Sequence, residues 1–90
     1  MFVYVYVLRA EDGSLYTGYT TDLRRRLSQH NQKKSFSTKS KDGWELIHYE
    51  AYRDVDDARR RERYLKTSQG MRLLKRMLKE YLYKLVEKQV

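Results

Sequence analysis

The 90-residue sequence contains no cysteine. That excludes a disulfide framework and any cysteine-based zinc site. It also has no uncharged run approaching the roughly 20 apolar residues needed to span a bilayer. The apolar start, FVYVYVL, is short, lacks a basic leader and is followed at once by charged residues. It reads as a strand rather than a signal peptide, and a cytoplasmic protein without a membrane partner is expected. No internal repeat, low-complexity tract or interdomain linker interrupts the chain, so residues 1–90 are expected to form one domain. Hydrophobic residues make up 40% of the chain, which argues against disorder and suffices for a small core.

Positive charge is plentiful, and it is unevenly placed. The formal net charge is +8. Residues 1–58 carry nine bases and nine acids, whereas residues 59–90 carry eleven bases against Glu62, Glu80 and Glu87. The whole excess therefore lies in the last third. Such a field suits a polyanionic partner, nucleic acid or an anionic membrane, and is equally that of a solvated basic face kept for solubility.

Alternation of β-branched and aromatic residues predicts a first strand over residues 2–9. Asp12-Gly13 supplies a hairpin turn, and SLYTGY is the returning strand. TTDLRRRLSQHN reads as a helix, with Thr21 as N-cap and Asp22 in the first turn. Leu23, Leu27 and His30 fall on one buried stripe, with Arg26 at its edge and Arg24 and Arg25 pointing elsewhere. NQKKSFSTKSKDG is polar and aperiodic, a surface loop. WELIHYEAY is a third strand. Asp54 caps the next helix, with Asp57 completing a short capping box. That helix runs to about Leu65. Ser68, Gln69 and Gly70 interrupt it, and a last helix spans about 71–87. The expectation is an α+β fold in two layers: a small three-stranded, mostly antiparallel sheet flanked by helices, in the order ββαβαα.

One residue is out of place in this pattern. In ARRRERYLK, Glu62 falls in the stripe of Val55, Ala58 and Leu65, where an apolar residue is expected. A core-facing carboxylate costs free energy unless an arginine or a metal ion pairs with it. Tyr6 and Tyr16 lie on the two hairpin strands, where same-face neighbours approach within about 5 Å. Together with Arg26, His30 and Glu62 they form a set suited to phosphodiester hydrolysis. A carboxylate holds Mg²⁺, which keeps waters and takes a phosphate oxygen. An arginine forks onto the phosphate. A phenol of lowered pKa takes the proton of the attacking water.

VYV at residues 5–7, YTG at 16–18, Arg26, His30 and Glu62 resemble the GIY-YIG endonuclease superfamily over nearly the whole chain. The likeness is greatest to its small, single-domain bacterial members. The spacing carries it: ten residues from Tyr6 to Tyr16, ten more to Arg26 and four to His30. Two positions depart from the motifs, Tyr4 for the first glycine and Thr17 for the second isoleucine. The resemblance implies a tyrosine pair acting jointly, with Tyr6 as base and Tyr16 orienting water or phosphate. It implies Arg26 on the scissile phosphate, His30 positioning a hydroxyl or the phosphate, and Glu62 binding a single Mg²⁺ or Mn²⁺. Gly18, Lys39, Lys66 and Arg72 are the candidate nucleic-acid contacts. The implied function is a DNA endonuclease of repair or recombination, with no small-molecule cofactor. Its substrate is structured or branched DNA read with little sequence specificity, since no helix-turn-helix, zinc finger or coiled coil accompanies the motifs. A binding module of the same fold that cleaves little, and a basic protein that docks an acidic partner, are the competing readings.

Overall fold

The computed structural model describes residues 1–87. Its elements are β1 Val3–Arg9, β2 Leu15–Thr20, α1 Leu23–Asn31, β3 Glu45–Tyr52, α2 Val55–Leu65, α3 Ser68–Met77 and α4 Lys79–Glu87. The sheet order is β2-β1-β3, and both pairings are antiparallel. The expected ββαβαα order holds, with the last helix bent at Leu78 into α3 and α4. Backbone bonds flank the junction: Leu78 N–H reaches the Leu74 carbonyl, and Leu82 N–H the Leu78 carbonyl, each at 3.0 Å.

The central strand β1 is covered on both sides, which explains its near-continuous apolar run. Strict alternation assigns its residues to two cores. Val3, Val5 and Val7 pack with Ala58, Leu65 and Leu74 beneath α2 and α3. Tyr6, Leu8 and Ala10 pack with Trp44 and, across the opposite face, with Leu23 and Leu27 of α1. The α2 layer is clamped to the sheet by Arg61, whose Nε and Nη2 donate to the two Glu50 carboxylate oxygens at 2.9 and 3.2 Å. Burial pushes the Glu50 carboxyl up, but hydrogen bonds from Arg61, His48 and Tyr52 outweigh it and bring it down to about 2.

Local chemistry moves several expected boundaries. Asp22, not Thr21, caps α1: its carboxylate accepts from Arg25 N–H at 3.1 Å, while Thr20 Oγ1 accepts from Asp22 N–H. Asp54 caps α2 as expected, accepting from Asp56 N–H at 2.8 Å, but Asp57 takes Arg60 at 2.7 Å instead of reaching back. The break after α2 falls at Lys66–Thr67. Ser68, Gln69 and Gly70 are the first turn of α3, because Thr67 Oγ1 accepts from Gly70 N–H at 3.0 Å and so starts a new helix. Val55, expected on the buried stripe, is 45% exposed. It opens α2 one turn before the helix meets the sheet through buried Ala58 and Leu65.

Candidate active site

Tyr6 stands at the middle of the central strand, on the α1 face, and is 2% exposed. Its phenol oxygen lies 2.9 Å from His30 Nε2 and accepts from Arg26 Nε–H at 3.3 Å. The hairpin register places Gly18 directly opposite Tyr6, and Tyr16 opposite Leu8. The two tyrosines are therefore diagonal neighbours with ring centroids 6.4 Å apart, rather than a facing pair. Gly18 has a specific reason to lack a side chain: a Cβ there would sit 2.5 Å from Tyr6 Oη and 2.7 Å from its Cζ. The spacing of Tyr16 and Gly18 thus serves one tyrosine on each strand. Tyr16 packs its own ring beside His30, and Gly18 clears space for the Tyr6 hydroxyl.

Arg26 and His30 are brought to Tyr6 by one face of α1, a turn apart. Arg24 and Arg25 are exposed. The Arg26 guanidinium also donates to Gln29 Oε1 at 3.0 Å and to Ser35 Oγ at 3.4 Å. Three of its five N–H donors are thereby used, and two remain for a ligand. His30 is fully buried, and its Nδ1 meets Thr38 Oγ1 at 2.6 Å. The segment between α1 and β3 is consequently more than a surface loop. Asn31 clasps the Trp44 backbone through two bonds of 2.9 Å, and Trp44 Nε1–H donates to the Thr38 carbonyl at 3.1 Å. Ser35 and Thr38, only 6% and 1% exposed, are held against Arg26 and His30.

Glu62 and Lys66 approach from the other layer. α2 covers the valine face of the sheet, and Lys66 reaches around edge strand β2, its Nζ 5.5 Å from the Tyr16 ring centre. The same ammonium pairs with Glu62 Oε2 at 3.3 Å. Glu62 is therefore not buried in the core. Its side chain is 15% exposed and lies near enough for its charge to act on the Tyr6 phenol. Of the other candidate nucleic-acid contacts, Lys39 sits 4.6 Å from the centre of the exposed Phe36 ring, and Arg72 is exposed on α3.

The electrostatics are asymmetric. Burial raises the Tyr6 phenol above its ordinary range, although the Arg26 hydrogen bond pulls the other way. The lowered pKa expected of a catalytic phenol is thus not a property of the resting site. The hydrogen bond to Tyr6 raises the Arg26 guanidinium further, so it is fully charged. Burial, helped by the Arg26 charge, drops His30 to about 4, leaving a neutral imidazole at neutral pH.

Among the described residues no group of three or more His, Asp or Glu side chains is placed to hold a metal ion. A single carboxylate at the site edge suits a hydrated Mg²⁺ or Mn²⁺ that completes its shell with waters and a substrate phosphate, and it does not suit a closed protein cage.

Sequence reading missed Ser35, Thr38, Asn31 and Trp44 as site supports. Their contacts cross a loop without periodicity, so no spacing rule marks them. It also placed Lys66 only as a general nucleic-acid contact. Its i, i+4 relation to Glu62 was visible, but its position over Tyr16 was not.

Residues 2–76 match the family described as the GIY-YIG catalytic domain. A UPF0213 protein of Streptococcus agalactiae serotype V is 44% identical over 64 residues, covering 70% of this chain and 73% of that protein. A UPF0213 protein of Staphylococcus haemolyticus is 38% identical over 73 residues, covering 80% and 89%. The solution NMR structure of a UPF0213 protein from Bacillus halodurans superposes with a TM-score of 0.55 at 34% identity, covering 86% of this chain and 85% of that one. With that match and these relatives, the chain belongs to the GIY-YIG catalytic-domain family, among its UPF0213 proteins.

Proposed function

We propose that the protein is a divalent-metal-dependent DNA endonuclease acting on structured or branched DNA in repair or recombination. One observation carries the proposal most: the Tyr6 oxygen is engaged at once by Arg26 and His30, with Tyr16 at 6.4 Å between ring centres and the Lys66 partner of Glu62 over the Tyr16 ring. A packing tyrosine at 2% exposure would need one partner for its hydroxyl, whereas this oxygen has two, one of them a charged guanidinium. The two uncommitted Arg26 N–H donors grip the scissile phosphate and strengthen as its charge grows in the transition state. Tyr6 takes the proton of the attacking water, and Tyr16, beside Arg26, orients the water or the phosphate. Glu62 would hold Mg²⁺ or Mn²⁺, whose charge neutralises the phosphate. Gly18 leaves the β2 edge low enough for a strand to approach the two phenols. Exposed Arg59, Arg60, Arg63, Arg72, Lys75, Arg76 and Lys79 on α2–α4, with Lys39 on the loop, draw the DNA backbone without reading bases.

The competing reading, a module of the same fold that binds nucleic acid and cleaves little, draws on one observation, the Lys66 ammonium already paired with Glu62. Labelled flapped, branched, nicked and single-stranded DNA, incubated with and without Mg²⁺, separates the two. Cleavage that needs the metal and vanishes in Glu62→Gln and Arg26→Ala, with folding intact, is the expected result. Salt-sensitive binding without cleavage would establish the module instead, and indifference to DNA would leave the acidic protein partner.

A further inference from the structure

We infer that Phe36 and Lys39 form a shelf on which an unpaired base of the substrate DNA stacks, close to the phosphate gripped by Arg26. Ser35 and Thr38 are the feet of a turn: Thr38 N–H donates to the Ser35 carbonyl at 3.2 Å, and Lys41 N–H donates to the Thr38 carbonyl at the same distance. Both feet are buried against the site, Ser35 Oγ at 3.4 Å from Arg26 Nη2 and Thr38 Oγ1 at 2.6 Å from His30 Nδ1. Phe36 and Ser37 are therefore the exposed corner of an anchored turn. Phe36 is 84% exposed, the most exposed aromatic ring among the described residues.

Neither local chemistry nor packing calls for a phenyl ring there. Turn corners favour glycine, proline, asparagine, aspartate and serine, and the ring joins neither hydrophobic core. A lone exposed apolar residue is ordinary on a protein surface, but two observations set this one apart. The first is its distance from the site. Ser35 touches Arg26, and successive Cα atoms are about 3.8 Å apart, so the Phe36 Cα lies within about 10 Å of the guanidinium. At about 3.4 Å per nucleotide of a stacked strand, that is at most about three nucleotides from the gripped phosphate. The second is charge. In the same loop Lys33 pairs with Asp42 and Lys41 with Asp12. Lys39 has no carboxylate partner among the described residues, and its Nζ lies over the Phe36 ring, 4.6 Å from the centre.

An open ring beside an unpaired ammonium matches a nucleotide part by part. The base stacks on the phenyl, and its phosphate meets Lys39. A protein partner fits less well, because the core of a protein interface is depleted of charge, whereas Phe36 is flanked by Lys34, Ser37 and Lys39. Stacking on a ring face is indifferent to base identity, and a paired base is already stacked in its duplex. The shelf therefore selects unpaired nucleotides rather than a sequence. This inference rests on the nuclease reading and locates its preference for flapped or branched DNA in one loop.

The test measures binding of the full chain, without metal so that nothing is cleaved, to a labelled single-stranded oligonucleotide and to a blunt duplex of the same sequence. Phe36→Ala should bind the single strand about five- to a hundredfold more weakly and the duplex within about twofold of the parent, with Tm unchanged. Phe36→Trp should keep the parent's affinity, and the emission of the added indole should be quenched by the single strand. Phe36→Leu, apolar but without a ring face, should behave like Phe36→Ala. Single-strand binding by Phe36→Ala within about twofold of the parent, an equal loss on both probes, or full affinity in Phe36→Leu overturns the inference. Flap cleavage with Mg²⁺ separates it from the reading beneath it. Cleavage unaffected by Phe36→Ala removes the shelf and leaves the nuclease. The expected binding pattern without any cleavage leaves the shelf and removes the nuclease, and a parent that binds neither probe removes both.

Discussion

Gly18→Ala is the most informative single perturbation of this site. The new methyl would lie 2.5 Å from Tyr6 Oη, 2.7 Å from Cζ and 3.1 Å from Cε1. Relaxed non-bonded contacts are about 3.5–4.0 Å, so the phenol must retreat by roughly 1 Å. Tyr6 Oη is 2.9 Å from His30 Nε2 and 3.3 Å from Arg26 Nε, and a retreat of that size breaks one or both bonds. Each lost hydrogen bond costs about 0.5–1.5 kcal/mol, and overpacking adds about 1–3 kcal/mol. Against this, alanine recovers only about 0.5–1 kcal/mol of strand entropy over glycine. The clash prevails, with a net loss of about 0.5–5.5 kcal/mol. At about 4–8 °C per kcal/mol for a chain of this size, Tm should fall by roughly 2–44 °C. Cleavage should fall by about a hundredfold even at temperatures where the variant is folded, because the base is displaced by about 1 Å. The assays are calorimetry and flap cleavage, repeated in a Tyr6→Leu background that removes the clashing atoms. There the alanine should cost little stability. An unchanged Tm and activity, or the same penalty in both backgrounds, would refute the assignment of Gly18 as the space for the phenol. Gly70→Ala is a useful contrast, since its clash, 1.9 Å, is with the Tyr64 backbone oxygen and so should block folding rather than catalysis.

Four further outcomes are expected. Arg26→Ala should lower turnover by about a hundredfold or more, and Arg24→Ala by less than about twofold, since only Arg26 faces the phenols; equal losses in steady-state kinetics would defeat the assignment. Glu62→Gln should abolish metal-dependent cleavage yet shift Tm in metal-free buffer by only a few degrees, because its pair with half-exposed Lys66 is worth about 0–1 kcal/mol; a large drop would mark Glu62 as a structural ion-pair partner. Thr17→Val should raise Tm, by roughly 5 °C or more, because Thr17 Oγ1 is buried with no hydrogen-bond partner; a lower Tm would mean that the hydroxyl is satisfied. Finally, the raised Tyr6 phenol makes phenolate scarce at neutral pH, so turnover should climb about tenfold per pH unit between about pH 6 and 9. That profile should show no break near the usual histidine range, as His30 titrates only at about 4; a plateau beginning below about pH 8 would remove Tyr6 as the base.

The strands, the hairpin turn at Asp12-Gly13, the Asp54 cap, the α1 stripe and the separation of Arg26 from its two arginine neighbours were all legible in the sequence. Each is set by a period of two or 3.6 residues, or by a side chain bonding its own backbone a few residues away. The ordered spacing of Tyr6, Tyr16, Arg26, His30 and Glu62 was legible too, as a pattern. Tertiary structure alone decided what those residues touch. It put Gly18, not Tyr16, across from Tyr6, because the register of a hairpin depends on how its turn closes. It drew Ser35 and Thr38 out of an aperiodic loop onto Arg26 and His30, through a clasp between Asn31 and Trp44 that no local rule encodes. It also carried Lys66 around the sheet edge to Tyr16, and took Glu62 from an apparent core stripe to the rim of the site. Periodicity tells a residue which face of its own element it occupies; which other element meets that face is settled only when the layers pack.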